Sequence, residues 1–132
     1  MLLPVALTTT GAAAIINLWL GVRVSQLRLK EKIFVGDGGN QKLVARMRAQ
    51  LNFAEYAPIA LLLIALIEFG AGSQFWLWIV AALFLFGRLL HALGMDGWRI
   101  GRQIGIISTM LTLLGLGIYA IWLAAQYGNP LR

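Results

Sequence analysis

Arg48, Asn52 and Glu55 stand at i, i+4 and i+7 in the stretch Met47-Arg48-Ala49-Gln50-Leu51-Asn52-Phe53-Ala54-Glu55-Tyr56-Ala57-Pro58. On a helix they share one narrow stripe, and the residues after Pro58 are almost wholly apolar. A second polar pair, Arg88 and His91, lies one turn apart in another apolar segment, and Arg102 opens a third. An arginine or carboxylate at mid-bilayer costs about 2.5 to 3.5 kcal/mol, less near the interface, so these residues require partners. The cheapest arrangement pairs Glu55 with Arg88 inside a helix bundle while Asn52 bridges neighbouring polar groups. Arg48 and Arg102 are then left without a carboxylate, and the chemistry this pattern offers is the holding of an anion between them. For Arg48 the alternative is that its side chain merely snorkels to the headgroups. The chain has no cysteine, so any thiol that reacts must arrive on a ligand. A single histidine without cysteine argues against a metal site.

These residues have to be positioned by helices in a membrane. Of the 132 residues, 60% are hydrophobic and only 12% charged, and the mean hydropathy is +0.80. A spanning helix needs about 20 mostly apolar residues, and four stretches qualify, at about 5–24, 49–69, 74–93 and 100–126. The expected fold is a single all-α domain over residues 1–132, an integral membrane four-helix bundle. Met1 to Gly21 carries no charged side chain, unlike the basic start of a secretory signal, so the first stretch is expected to be a permanent span. Gly36-Asp37-Gly38-Gly39 reads as a tight turn, with the second helix starting near Gln41. Gly94-Met95-Asp96-Gly97 ends the third span, and Tyr127-Gly128-Asn129-Pro130 ends the fourth. Pro58 frees the carbonyl of Ala54 and either bends its helix or is tolerated.

The net charge of +6 is concentrated beside the spans. Seven Lys and Arg fall between Arg23 and Arg48, and Arg88, Arg99 and Arg102 surround the loop after the third span, whereas the loop between spans two and three has none. Such asymmetry places the basic loops in the cytoplasm and both termini in the periplasm, as expected of a bacterial inner-membrane protein. It also accounts for the basicity without nucleic acid.

The run from Arg48 to Pro58 resembles the signature of the MAPEG family, membrane-associated proteins in eicosanoid and glutathione metabolism, in the placing of Arg48-Ala49, Asn52, Glu55 and Pro58. Gly87-Arg88-Leu89-Leu90-His91 is similar to a third-helix stretch of some members, and the glycine-rich turn to that of small bacterial ones. The resemblance implies a homotrimer of four-helix subunits. It also implies glutathione in a cationic cleft at each subunit interface, its thiol ionised by an arginine, with a lipophilic substrate drawn from membrane lipid. Arg48, Asn52, Glu55 and Tyr56 match the second-helix ligand residues. Arg28, Arg88 and His91 extend the implied binding set, and Arg102 takes the place of the thiolate-stabilising arginine.

The chemistry is coherent in itself, since a thiol with a pKa near 8.5 is mostly protonated at neutral pH and a permanently charged guanidinium favours its ionised form. The implied activity is a glutathione-dependent transferase or peroxidase acting on lipophilic electrophiles or lipid hydroperoxides. Catalytic members place a tyrosine on the third helix where this chain reads Ala92-Leu93-Gly94-Met95. The alternative is therefore a non-catalytic lipid-binding or scaffold protein of the same fold. A four-span proton-coupled antiporter ranks last, because the first span lacks the carboxylate it would need.

Overall fold

The computed structural model describes residues 1–128, and Asn129 and Pro130 of the expected stop lie outside the described residues. Four helices follow one another: α1 (Pro4–Glu31), α2 (Gln41–Ala71), α3 (Phe75–Gly94) and α4 (Arg99–Tyr127), with no strand among the described residues. Each is long and apolar enough to cross a membrane, and the protein is an integral membrane protein. At 1.5 Å per residue α3 is about 30 Å long, one hydrocarbon thickness, whereas α1 and α2 exceed 40 Å. Their excess lies at the basic end of the bundle. Arg23 Nη1 reaches the carbonyl of Ala92 near the end of α3 (3.3 Å), so residues 24–31 project about 12 Å further.

The helix ends are tied down by identifiable groups. Pro4 opens α1, where its missing N–H costs nothing. The next two backbone donors, Val5 N and Ala6 N, bond the carboxylate of Glu68 at 2.9 and 2.7 Å, and Ser73 Oγ donates to the same carboxylate at 2.6 Å. Glu68 is thus a buried anionic cap on a helix N-terminus, where the helix dipole favours it. At the other end, Asn40 Oδ1 accepts from Leu43 N and starts α2. Helix α2 runs unbroken through Pro58.

Packing follows the logic of a bilayer, where large apolar side chains gain nothing from hiding. Small residues share the interior with a few large ones: Ala13, Ala49, Ala57, Ala60 and Ala92 pack with Ile16, Leu20, Phe53 and Phe84, while Ile15, Leu18, Leu114 and Ile121 point outward. The closest seam joins α3 to α4. A Cβ built on Gly105 would sit 2.4 Å from His91 Cβ and 2.6 Å from the Gly87 carbonyl oxygen, and one on Gly94 would sit 2.1 Å from Arg102 N. Only hydrogen fits at either position. This contact brings the start of α4, and with it Arg102, against the end of α3.

Candidate functional site

Three helices converge on a cavity of about 260 Å³ near the basic end. Helix α2 contributes Arg48, Leu51, Asn52 and Glu55, which are successive members of one face; α3 contributes His91, with Met95 just beyond its end, and α4 contributes Arg102 and Ile106. Five of the residues singled out from the sequence, Arg48, Asn52, Glu55, His91 and Arg102, therefore line a single space. Arg88 stands behind them. Its side chain is fully buried, and its guanidinium donates to Asn52 Oδ1 and to Thr109 Oγ1 (3.0 Å) and lies 3.3 Å from His91 Nδ1.

The expected pairing of Glu55 with Arg88 is not formed. Among the described residues the ion pairs are those of Arg23 and Arg46 with Asp96, and Glu55 is exposed. The reason is angular. Asn52 and Glu55 are three residues apart on α2, which turns their side chains about 60° from each other, and Asn52 is the one aimed at α3. The Asn52 amide oxygen takes the guanidinium, leaving Arg88 a buried cation held by neutral acceptors. Arg88 Nε is buried with no acceptor among the described residues.

Two further sequence candidates lie outside the cavity. Tyr56, half-buried, is one turn beyond Asn52 and not part of the cavity wall. Arg28 Nη1 donates to the carbonyls of Ile33 (3.1 Å) and Gly36 (2.8 Å), fastening the turn after α1. It faces a separate concavity of about 720 Å³ between α1 and α2, along with Asn17 and Gln50. Arg48 and Leu51 line both spaces.

Sequence reasoning missed Thr109, which donates to the carbonyl of Gly105 (2.9 Å) while accepting from Arg88. Its signal was the buried series Gly101, Gly105 and Thr109, a small residue every fourth position on the face of α4 that meets α3. Glu68 was missed as well, although a carboxylate so near an apolar helix end must find donors.

Counted together, the cavity and its back wall hold three arginines and one carboxylate, and neither the Arg48 nor the Arg102 guanidinium has a hydrogen-bond partner among the described residues. An arrangement of this kind attracts an anion with a cationic part of its own. The MAPEG family model matches residues 6–122, spanning all four helices and every residue of the cavity. The chain belongs to the MAPEG family. Inner membrane protein YecN of Escherichia coli strain K12 is 30% identical over 103 residues, which is 75% of this chain and 76% of that protein. YecN of Escherichia coli O6:H1 matches to the same extent.

Proposed function

We propose that this MAPEG protein is a glutathione-dependent transferase or peroxidase of the bacterial inner membrane, acting on lipophilic electrophiles or lipid hydroperoxides. The observation that carries the reading is the cavity of Arg48, Asn52, Glu55, His91 and Arg102, with Arg88 buried behind it. Glutathione has two carboxylates, one ammonium and a thiol. Arg48 suits a carboxylate, the unpaired Glu55 suits the ammonium, and Arg102 across the cavity suits the ionised sulfur. Family membership supports the choice of glutathione, and the inner-membrane relative supports the location. The basic end then faces the cytoplasm, where glutathione is abundant.

In the transferase reaction the thiolate attacks an electrophilic carbon, forming a carbon–sulfur bond as the leaving group departs or the adduct is protonated. Acting as a peroxidase, the protein would use two thiols per hydroperoxide, giving the disulfide, an alcohol and water. Arg102 lowers the energy of the anionic sulfur in either case.

The trimer belongs to the same proposal. Glu55 is exposed on α2 about 10 Å deeper than Arg48 along the helix, a costly position unless another copy covers it. The cavity volume lies just below the usual range for a small-molecule site, consistent with a site finished by a neighbouring subunit. Arg28 and Gln50, which face away from their own cavity, are suited to be the neighbour's contribution.

Calorimetric titration of the detergent-purified protein with glutathione tests this reading. Removing the Arg48 guanidinium deletes charge-assisted bonds of about 1.5–3 kcal/mol, so Arg48→Ala should weaken binding about 10- to 150-fold. Absence of binding to the unmodified protein would refute the glutathione reading and favour the lipid-binding scaffold, for which the lack of a tyrosine in Ala92-Leu93-Gly94-Met95 is the supporting observation.

A further inference from the structure

We infer that Asp96 is a positioning residue for Arg102: its carboxylate, clasped by Arg23 of α1 and Arg46 of α2, fixes the turn between α3 and α4 and so sets where the Arg102 guanidinium lies. The inference rests on the proposed role of Arg102 and extends it to three residues outside the cavity.

Asp96 lies in the four-residue turn Met95–Trp98, six positions before Arg102. Asp96 Oδ2 is bonded by Arg23 Nη2, and Oδ1 faces Arg46 Nε at 3.6 Å. Both arginines are themselves held. Arg23 Nη1 donates to the carbonyl of Ala92, its guanidinium stacks 4.8 Å from the Trp19 ring centroid, and Arg46 Nη1 donates to the carbonyl of Arg23 (3.0 Å). One carboxylate thus joins the basic ends of α1 and α2 to the turn. Arg23 is buried and Arg46 half-buried, whereas Asp96 is exposed, so the clasp sits at the rim of the bundle and is sheltered on its arginine side.

Short contacts link the turn to the start of α4. Asp96 N and Gly97 N bond back to the carbonyls of Leu93 (3.2 Å) and Gly94 (3.1 Å), and Arg102 N to that of Trp98 (3.2 Å). The Trp98 ring packs on Gly101 so closely that a Cβ there would come within 2.3 Å of it, and Gly94 touches the backbone of Arg102. These contacts couple a shift of the turn to the first turn of α4, where Arg102 lies. Met95, the neighbour of Asp96, is itself in the cavity wall. By contrast, Arg48 lies within α2, outside the turn and its hydrogen bonds.

That contrast gives the test. In the full-length protein in detergent, Asp96→Asn removes the charge and keeps the volume. The signal read is the ultraviolet difference band of the glutathione thiolate, alongside the affinity for S-hexylglutathione, whose alkylated sulfur has no proton to lose. We expect the thiolate signal to fall about tenfold, the S-hexylglutathione affinity to stay within about threefold, and Asp96→Glu to restore much of the signal. A parallel fall of both readouts, or an unchanged thiolate signal, would overturn the positioning role. Should the unmodified protein give no thiolate band, the function proposed above fails, and amide hydrogen exchange of residues 94–104 decides the clasp independently. Exchange about tenfold faster in Asp96→Asn, confined to that segment, sustains it, whereas unchanged exchange overturns it.

Discussion

Glu68 offers the sharpest energetic prediction. Its carboxylate is 1% exposed and accepts from Val5 N, Ala6 N and Ser73 Oγ. Replacing it by glutamine keeps the volume and one acceptor oxygen but puts an amide N–H where the other acceptor stood, facing a donor. A hydrogen bond to a charged group contributes about 1.5–3 kcal/mol, and the favourable placement of a negative charge at a helix N-terminus adds about 0.3–1 kcal/mol. Glu68→Gln should therefore destabilise the bundle by about 2–4 kcal/mol. Glu68→Asp should cost a similar amount, because its side chain is one methylene too short to reach both backbone donors. Ser73→Ala, which removes one exposed donor and leaves the backbone bonds intact, should cost about 1 kcal/mol. Equilibrium unfolding in mixed micelles of a mild detergent and dodecyl sulfate, followed by circular dichroism, measures all three. A Glu68→Gln protein within about 0.5 kcal/mol of the parent, against the sum of these terms, would show that the cap does not hold α1 in place.

The α3–α4 seam predicts a contrast between two glycines. Gly105→Ala should destabilise by about 1–3 kcal/mol, since its methyl would collide with His91 and the Gly87 carbonyl, whereas Gly115→Ala, with nothing within 4 Å, should be neutral or slightly stabilising in the same unfolding measurement. Thr109→Val removes an acceptor of the buried Arg88 guanidinium while preserving shape, and should cost about 1–3 kcal/mol. Glu55→Gln should leave unfolding almost unchanged, since Glu55 has no ion-pair partner among the described residues, yet weaken glutathione binding under the role proposed for Glu55; calorimetry separates the two effects.

How much of this was legible in the sequence depends on the kind of physics involved. Hydropathy states directly which segments enter oil, and the four spanning helices follow from it. The depth of Arg48, Asn52, Glu55, Arg88, His91 and Arg102 is equally readable, because rise per residue is fixed, and all except Arg88 meet in one cavity with Arg88 at its back. Rotation about the helix axis is not readable in the same way. Glu55 and Asn52 belong to one stripe, and the choice of which reaches Arg88 depends on how α2 is turned against α3, a matter of packing around Ala49, Phe53 and Ala57. Pairings between distant segments were also hidden. Glu68 meets residues 62 and 63 positions away, and Arg23 meets Asp96 at a separation of 73, so no local pattern announces either. Arg23 read as one charge among seven in a basic stretch; its place against Trp19 and Ala92 makes it part of the core's edge instead.

The central claim is that Arg102 stabilises a glutathione thiolate in the α2–α3–α4 cavity. The difference spectrum of the purified protein with saturating glutathione at neutral pH, taken beside that of Arg102→Ala, tests it most directly. The parent protein should give a thiolate band, and Arg102→Ala should lose it while calorimetry still detects bound glutathione. A band of equal height in Arg102→Ala would contradict it, and so would glutathione bound to the parent protein with its thiol fully protonated.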